Sequence, residues 1–198
     1  MFAHFGKPMK PLVSLLALAL CVAVSAYAQA PAEPPQQPYV GQPGKDVVWV
    51  PTPPTLVDRM LELAKVGPKD YVIDLGSGDG RNVIAAAKLG ARALGVEYDS
   101  NLVHLSRKYA AEAGVADRAR FIEGDMFEVD ISKATVLALF LLPDNLARLK
   151  PKFERLRPGT RIVTNGYQIA GWEAAETAVA GGDCAPWCNA YLYIVPPH

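Results

Sequence analysis

Residues 71–81 read YVIDLGSGDGR, and the reading of this stretch decides the fold. Tyr71, Val72, Ile73 and Leu75 make a short apolar run of the kind that forms a buried strand, with Asp74 near its end. Gly76, Ser77, Gly78, Asp79 and Gly80 follow as a turn. An alanine-rich run from Asn82 (NVIAAAKLG) predicts a helix closed by Gly90. Glycines at alternate positions let the backbone turn sharply and approach a ligand closely, because no Cβ intervenes. The turn also brings that ligand to the positive end of a helix. Strand, glycine turn and helix in this order make a nucleotide-handling unit.

The spacing of the glycines separates the candidate nucleotides. A dinucleotide fingerprint requires G-x-G-x-x-G, whereas here the third glycine comes one residue early and Arg81 takes its place. The pattern D-x-G-x-G-x-G, acidic two residues before the first glycine, resembles the first motif of the seven-strand S-adenosylmethionine (SAM) methyltransferases. SAM has no pyrophosphate, and its ammonium suits a carboxylate at Asp74, directly or through water. An ordinary tight strand-to-helix turn is the plainer alternative, so flanking residues must decide.

Downstream, Ala91–Val96 predicts a second strand ending in Glu97, at the same sheet edge as the glycine turn. A carboxylate there can accept both ribose hydroxyls. Ser100–Ala113 reads as a core-facing helix. Arg120–Glu123 gives a third strand followed by Gly124, Asp125 and Met126. An acid in that place resembles the methyltransferase position whose carboxylate accepts from the adenine amine, and Met126 can lie against the ring. Nicotinamide enzymes do not usually present this pattern. Ala134–Leu142 is continuously apolar, as a central parallel strand covered on both faces should be. Pro143-Asp144-Asn145 stands at its carboxyl end, followed by a helix over Leu146–Leu156. Arg161–Thr164 predicts a fifth strand, and Ala190–Val195 a last, antiparallel one paired with the segment around Glu176–Ala180.

Upstream, Thr55 is placed to cap a helix whose face carries Leu56, Met60, Leu63 and Ala64, and Val50-Pro51-Thr52-Pro53 is a rigid turn before it. Residues 29–46 are rich in Pro, Gln and Gly and read as an extended tether, with order expected from about Val47. Residues 1–28 have the grammar of a signal peptide: Lys7 and Lys10, an apolar run from Leu12 to Val24, then Ala26-Tyr27-Ala28. Cleavage after Ala28 is expected, giving a periplasmic or secreted protein with no stable membrane span. An uncleaved N-terminal membrane anchor is the alternative. The domain itself is placed at 47–198.

Charge narrows the partners. The 198 residues carry 20 basic and 20 acidic side chains. Removing residues 1–28 leaves 18 against 20, with no basic stripe for nucleic acid.

Taken together, VPTP, DLGSGDGR, G-V-E, FLLPDN and PGTRIV-T-N carry the resemblance further. The chain is similar to the small protein-lysine methyltransferases related to the mitochondrial enzyme that modifies the ATP synthase c-subunit. The likeness runs from about Trp49 to Trp172. It implies an α/β, Rossmann-like class I methyltransferase fold: a mostly parallel sheet, helices on both faces, and a C-terminal antiparallel hairpin. It implies SAM as cofactor, with Thr52 and Pro53 over its methionine end. Asp74, Gly76, Ser77, Gly78 and Gly80 would serve the amino-acid moiety, Glu97 and Tyr98 the ribose side, and Asp125 and Met126 the adenine. Phe140, Leu142, Pro143 and Asn145 would line the acceptor channel. The implied acceptor is a protein lysine, with a small-molecule amine as alternative, and the enzyme is expected to be a monomer. Two other classes stay open: an exported SAM- or nucleotide-binding module without turnover, and a nicotinamide enzyme. Asn165 stands where a histidine is often expected in the family.

No histidine occupies a plausible catalytic place, since His104 falls on the outer side of a helix, and no metal set is complete. Tyr167 and Trp172 either wall the ammonium stem or pack beneath the last hairpin. Cys184 and Cys188, in an exported chain, are expected to pair in a small loop-stapling disulfide.

Overall fold

The computed structural model describes residues 1–2, 38–181 and 188–197. The chain divides into Met1–Glu33 and Pro34–His198. The expected signal peptide lies outside the described residues except for Met1 and Phe2, and the second unit carries the fold. Among the described residues no helix is long and apolar enough to cross a membrane.

Eleven elements alternate in the described part of the chain: α1 (Pro54–Leu63), β1 (Tyr71–Leu75), α2 (Arg81–Lys88), β2 (Arg92–Glu97), α3 (Ser100–Glu112), β3 (Ala119–Glu123), β4 (Val136–Leu139), α4 (Pro143–Phe153), β5 (Arg161–Asn165), β6 (Glu176–Val179) and β7 (Asn189–Ile194). The strands form one sheet in the order β3-β2-β1-β4-β5-β7-β6. The first five are parallel, and β7 runs antiparallel to both β5 and β6. The order reverses between β1 and β4, which opens a crevice beyond their carboxyl ends.

Alternation along the strands builds two cores. Val72, Ala93, Phe121, Val136 and Val163 face one side, where Leu56 and Met60 of α1, Val83 and Ala86 of α2 and Val103 of α3 cover them. Ile73, Leu75, Val96, Leu137, Leu139 and Ile162 face the other, against Leu146, Leu149 and Phe153 of α4. Strands buried on both faces explain why β4 reads as an unbroken apolar run and why Asp74 alone interrupts the apolar run of β1.

The expected fold is present, with local corrections. Helix α1 begins at Pro54, with no side-chain cap at its start, rather than behind a Thr55 cap. Helix α4 begins at Pro143, three residues before Leu146. In both, proline takes the first turn, where its missing N–H costs nothing and its fixed φ suits the helix. Strand β4 covers only Val136–Leu139 of the apolar run, and Phe140–Leu142 leave the sheet for the crevice. Order begins before Val47. Gly41 N donates to Trp49 O (2.8 Å), Trp49 N donates to Gln42 O (2.9 Å), and Pro43 bridges Val48, so residues 41–49 form a small hairpin. Cys188 is disulfide-bonded, and its expected partner, Cys184, lies outside the described residues.

Candidate active site

The crevice holds a cavity of about 330 Å³, walled by residues 42–52, by the glycine turn, and by the loops after β2, β3 and β4. That volume falls within the ~300–1,000 Å³ of small-molecule sites. Thr52, Gly76, Ser77, Gly78, Glu97, Tyr98, Asp125, Met126, Phe140 and Leu142 all line it. Five separate loops thus bring ten of the expected residues to one place. Pro53, Asp74, Gly80, Pro143 and Asn145 are not on its wall.

Glu97 organises the floor. One carboxylate oxygen accepts from Gly78 N (2.8 Å), and the other from Tyr98 N (2.8 Å) and Asp99 N (3.0 Å). The end of β2 therefore pins the glycine turn of β1. Gly78 has φ +55°, and a Cβ there would come 2.5 Å from Trp49 Nε1. The absent side chain leaves the space that the indole fills. Gly80 has a different duty: its Cβ would collide with Phe121 and Ser106, so it serves packing under the turn.

Asp74 is buried at the end of β1 and accepts from Asn82 Nδ2 at 3.1 Å. Burial pushes its carboxyl well above the usual carboxylate range; the Asn82 bond opposes this, and the charges of Glu97 and Asp79 add to it. Burial is the largest cause, and a cation brought beside these three acids would draw the carboxyl back toward its charged form. SAM, with an ammonium and a sulfonium, would supply one. Ser77 Oγ is buried beside the cavity without a hydrogen-bond partner, so a polar ligand has an atom to satisfy. The residues present fit the cofactor.

Two groups that the sequence reading did not assign shape the wall. Arg81 grips Asp79 with two bonds (Nε to Oδ1, 2.9 Å; Nη2 to Oδ2, 2.6 Å) and donates from Nη1 to Thr52 O at 2.6 Å. Asn165 Nδ2 donates to Thr52 Oγ1 at 3.3 Å. The Pro-Thr-Pro turn is thereby fixed to the start of α2 and to the end of β5. The departure from the dinucleotide spacing marked Arg81, and the departure from the family's histidine marked Asn165, without giving the partner of either. Lys45, Asp46 and Trp49 also line the cavity. The two aromatic residues divide: Tyr167 lines the cavity, whereas Trp172 lies against Tyr193 with centroids 6.2 Å apart. Both also pack against the second core. His104 is exposed, and among the described residues no histidine lines the cavity. Among the described residues no group of three potential ligands could hold a metal.

The ANTKMT methyltransferase domain family matches residues 74–176, slightly more than half of the chain. This chain belongs to that family. The methyltransferase is 44% identical over 156 residues to a protein-lysine N-methyltransferase of Saccharolobus islandicus (strain REY15A), spanning 77% of this chain and 96% of the relative. It is 37% identical over 128 residues to the ATP synthase c-subunit lysine N-methyltransferase of Mus musculus, covering 64% of this chain but only 50% of the mouse protein. Among solved structures it resembles an RNA methyltransferase from Salinibacter ruber crystallised with S-adenosyl-L-homocysteine. That match has a TM-score of 0.70 and 48% identity, over 75% of this chain and 95% of the other. The methyltransferase is thus a SAM-dependent enzyme of the class I fold, in agreement with the reading of its glycine turn.

Proposed function

We propose that this enzyme methylates the ε-amine of a protein lysine. The observation that carries the reading is the charge of the cavity wall. Asp46, Asp79, Glu97, Asp99 and Asp125 face it, against Lys45 and Arg81. An acidic, partly apolar wall suits a cationic side chain and repels a polyanion. The lysine specificities of the archaeal and mouse relatives point the same way.

Bound SAM would supply a methyl group on a sulfonium, an electrophile with a good leaving group. The chain's residues hold and orient. Glu97 and Tyr98 would flank the ribose, Asp125 and Met126 the adenine, and Thr52, Gly76, Ser77 and Gly78 the amino-acid end. Phe140, Leu141 and Leu142 offer an apolar entry, where loss of hydration lowers an amine's pKa and releases its proton to water. Tyr167 stands at the same wall and can face the ammonium stem. No general base is assigned. Exclusion of water and alignment of the two partners carry the rate.

The second reading is an RNA acceptor, which the Salinibacter ruber relative favours. One labelling experiment separates the two: the purified enzyme is incubated with methyl-labelled SAM and a cell-envelope extract. Label on polypeptide, mapping to methylated lysines, is the expected outcome. Label confined to RNA, or to small-molecule amines, overturns the lysine assignment and leaves the methyltransferase intact.

We place the enzyme in the periplasm or outside the cell, on the grammar of residues 1–28 and the disulfide at Cys188, which an oxidising compartment favours. Mass spectrometry of the protein from its native host should find an N-terminus at Gln29. Recovery of intact Met1 from soluble cytoplasm would overturn this placement.

A further inference from the structure

The tip of the 41–49 hairpin is held by charge. Lys45 Nζ pairs with Asp125 Oδ2 and lies 4.9 Å from the centroid of the Tyr98 ring. The next residue, Asp46, faces Arg148 at 3.7 Å, and that guanidinium lies 3.6 Å over the Phe127 ring. Asp125 Oδ1 accepts from Phe127 N at 2.8 Å. Both oxygens of the carboxylate expected to receive the adenine amine are therefore already engaged, one of them by a cation from the hairpin. We infer that Lys45 is a cofactor-displaced latch: it seats the hairpin tip on Asp125 in the cofactor-free enzyme and yields that carboxylate as adenine enters.

Three features make displacement feasible. The Lys45 and Asp125 side chains keep 34% and 27% of their exposure, so water and salt weaken the pair and its loss costs little. The hydrogen bond they share raises the Lys45 pKa and lowers that of Asp125, so both are charged across the physiological range. The hairpin's base does not depend on the latch. Its two backbone bonds join Gly41 and Gln42 to Trp49, Trp49 rests on Gly78, and Arg81 and Asn165 anchor Thr52 just beyond. Only the tip, Gly44 to Val47, has to shift. The ammonium then remains beside the Tyr98 ring, near the mouth.

A ligand that must first displace the latch binds with an affinity reduced by the fraction of enzyme already open. The inference rests on adenine taking Asp125, and the test separates the two ideas. Binding of S-adenosyl-L-homocysteine is measured by calorimetry, because this zwitterion has no net charge and little salt dependence of its own. Lys45→Gln, a change at an exposed side chain, is expected to bind it about two- to fivefold tighter at low salt. Wild type should approach the variant at high salt, as screening opens the latch. Equal or weaker binding by Lys45→Gln at low salt overturns the latch. At high salt, where screening has already opened the latch in wild type, Asp125→Ala is expected to bind at least about tenfold more weakly. Unchanged affinity in that variant would overturn the adenine placement, and the latch with it. Weakened binding in Asp125→Ala without tightening in Lys45→Gln would overturn the latch alone.

Discussion

Glu97→Ala is expected to weaken SAM binding by about two orders of magnitude, close to 3 kcal/mol. Two losses add up to that figure. The first is the ribose hydroxyl that the remaining acceptor site on Oε2 can take, at about 1.5–3 kcal/mol for a hydrogen bond to a charged group. The second is the floor itself. Gly78 N, Tyr98 N and Asp99 N all donate to this one side chain, so its removal frees the glycine turn from the end of β2. Water can reach the half-buried amides, which keeps the second loss below the first. Glu97→Gln should fall between, because an amide offers one acceptor where the carboxylate offers two. Calorimetric titration with SAM measures both variants. An affinity within about threefold of wild type in Glu97→Ala would mean that the ribose lies elsewhere.

The second large effect is on stability and comes from a residue that touches no cofactor. Gly80→Ala is expected to destabilise the domain by about 3 kcal/mol. Gly80 sits at φ +83°, and its new Cβ would lie 2.6 Å and 2.7 Å from Phe121 ring atoms and 2.9 Å from Ser106 Cβ. A left-handed conformation costs a non-glycine residue about 1–2 kcal/mol, and overpacking adds about 1–3 kcal/mol. Neither neighbour can retreat easily. Phe121 is buried in β3, and Ser106 Oγ is bonded to Gly78 O (2.9 Å) and Leu102 O (2.8 Å). Urea unfolding gives the readout, and in a domain of this size the melting point should fall by about 6–12 °C. A loss below about 1 kcal/mol would show that the turn relaxes around an added methyl.

These two residues mark the border of what the sequence made legible. The glycine turn, Glu97 and Asp125 could be placed because each follows directly on a strand, and a parallel sheet sends every strand end to the same edge. Chain order alone therefore predicts their convergence. The duties within the turn were not legible. Gly78 and Gly80 look alike in the sequence, yet one leaves room for Trp49 and the other for Phe121, and both neighbours lie far away in the chain. Helix starts at Pro54 and Pro143 were misplaced because apolar periodicity begins later than the backbone turn does. The largest omission is the 41–49 hairpin. Its Pro, Gly and polar content is that of a tether, and its structure comes from its own cross-strand bonds and from Asp125 and Arg148, not from local preference. Asp74 was legible as an acid in the right motif, but its burial behind the turn, bonded to Asn82, depends on how α2 packs.

The same hairpin bears on when the protein becomes able to work. Lys45 and Asp125 are 80 residues apart in the chain, and Thr52 and Asn165 are 113 apart. Contacts of such separation pay their loop-closure entropy late, after local pairings have formed. The wall that leaves the ribosome first must therefore wait for β3 and β5 before it finds its seat. Helices and inner strands can be complete while the cofactor cavity still lacks a side. On refolding, recovery of cofactor binding should lag behind recovery of secondary structure.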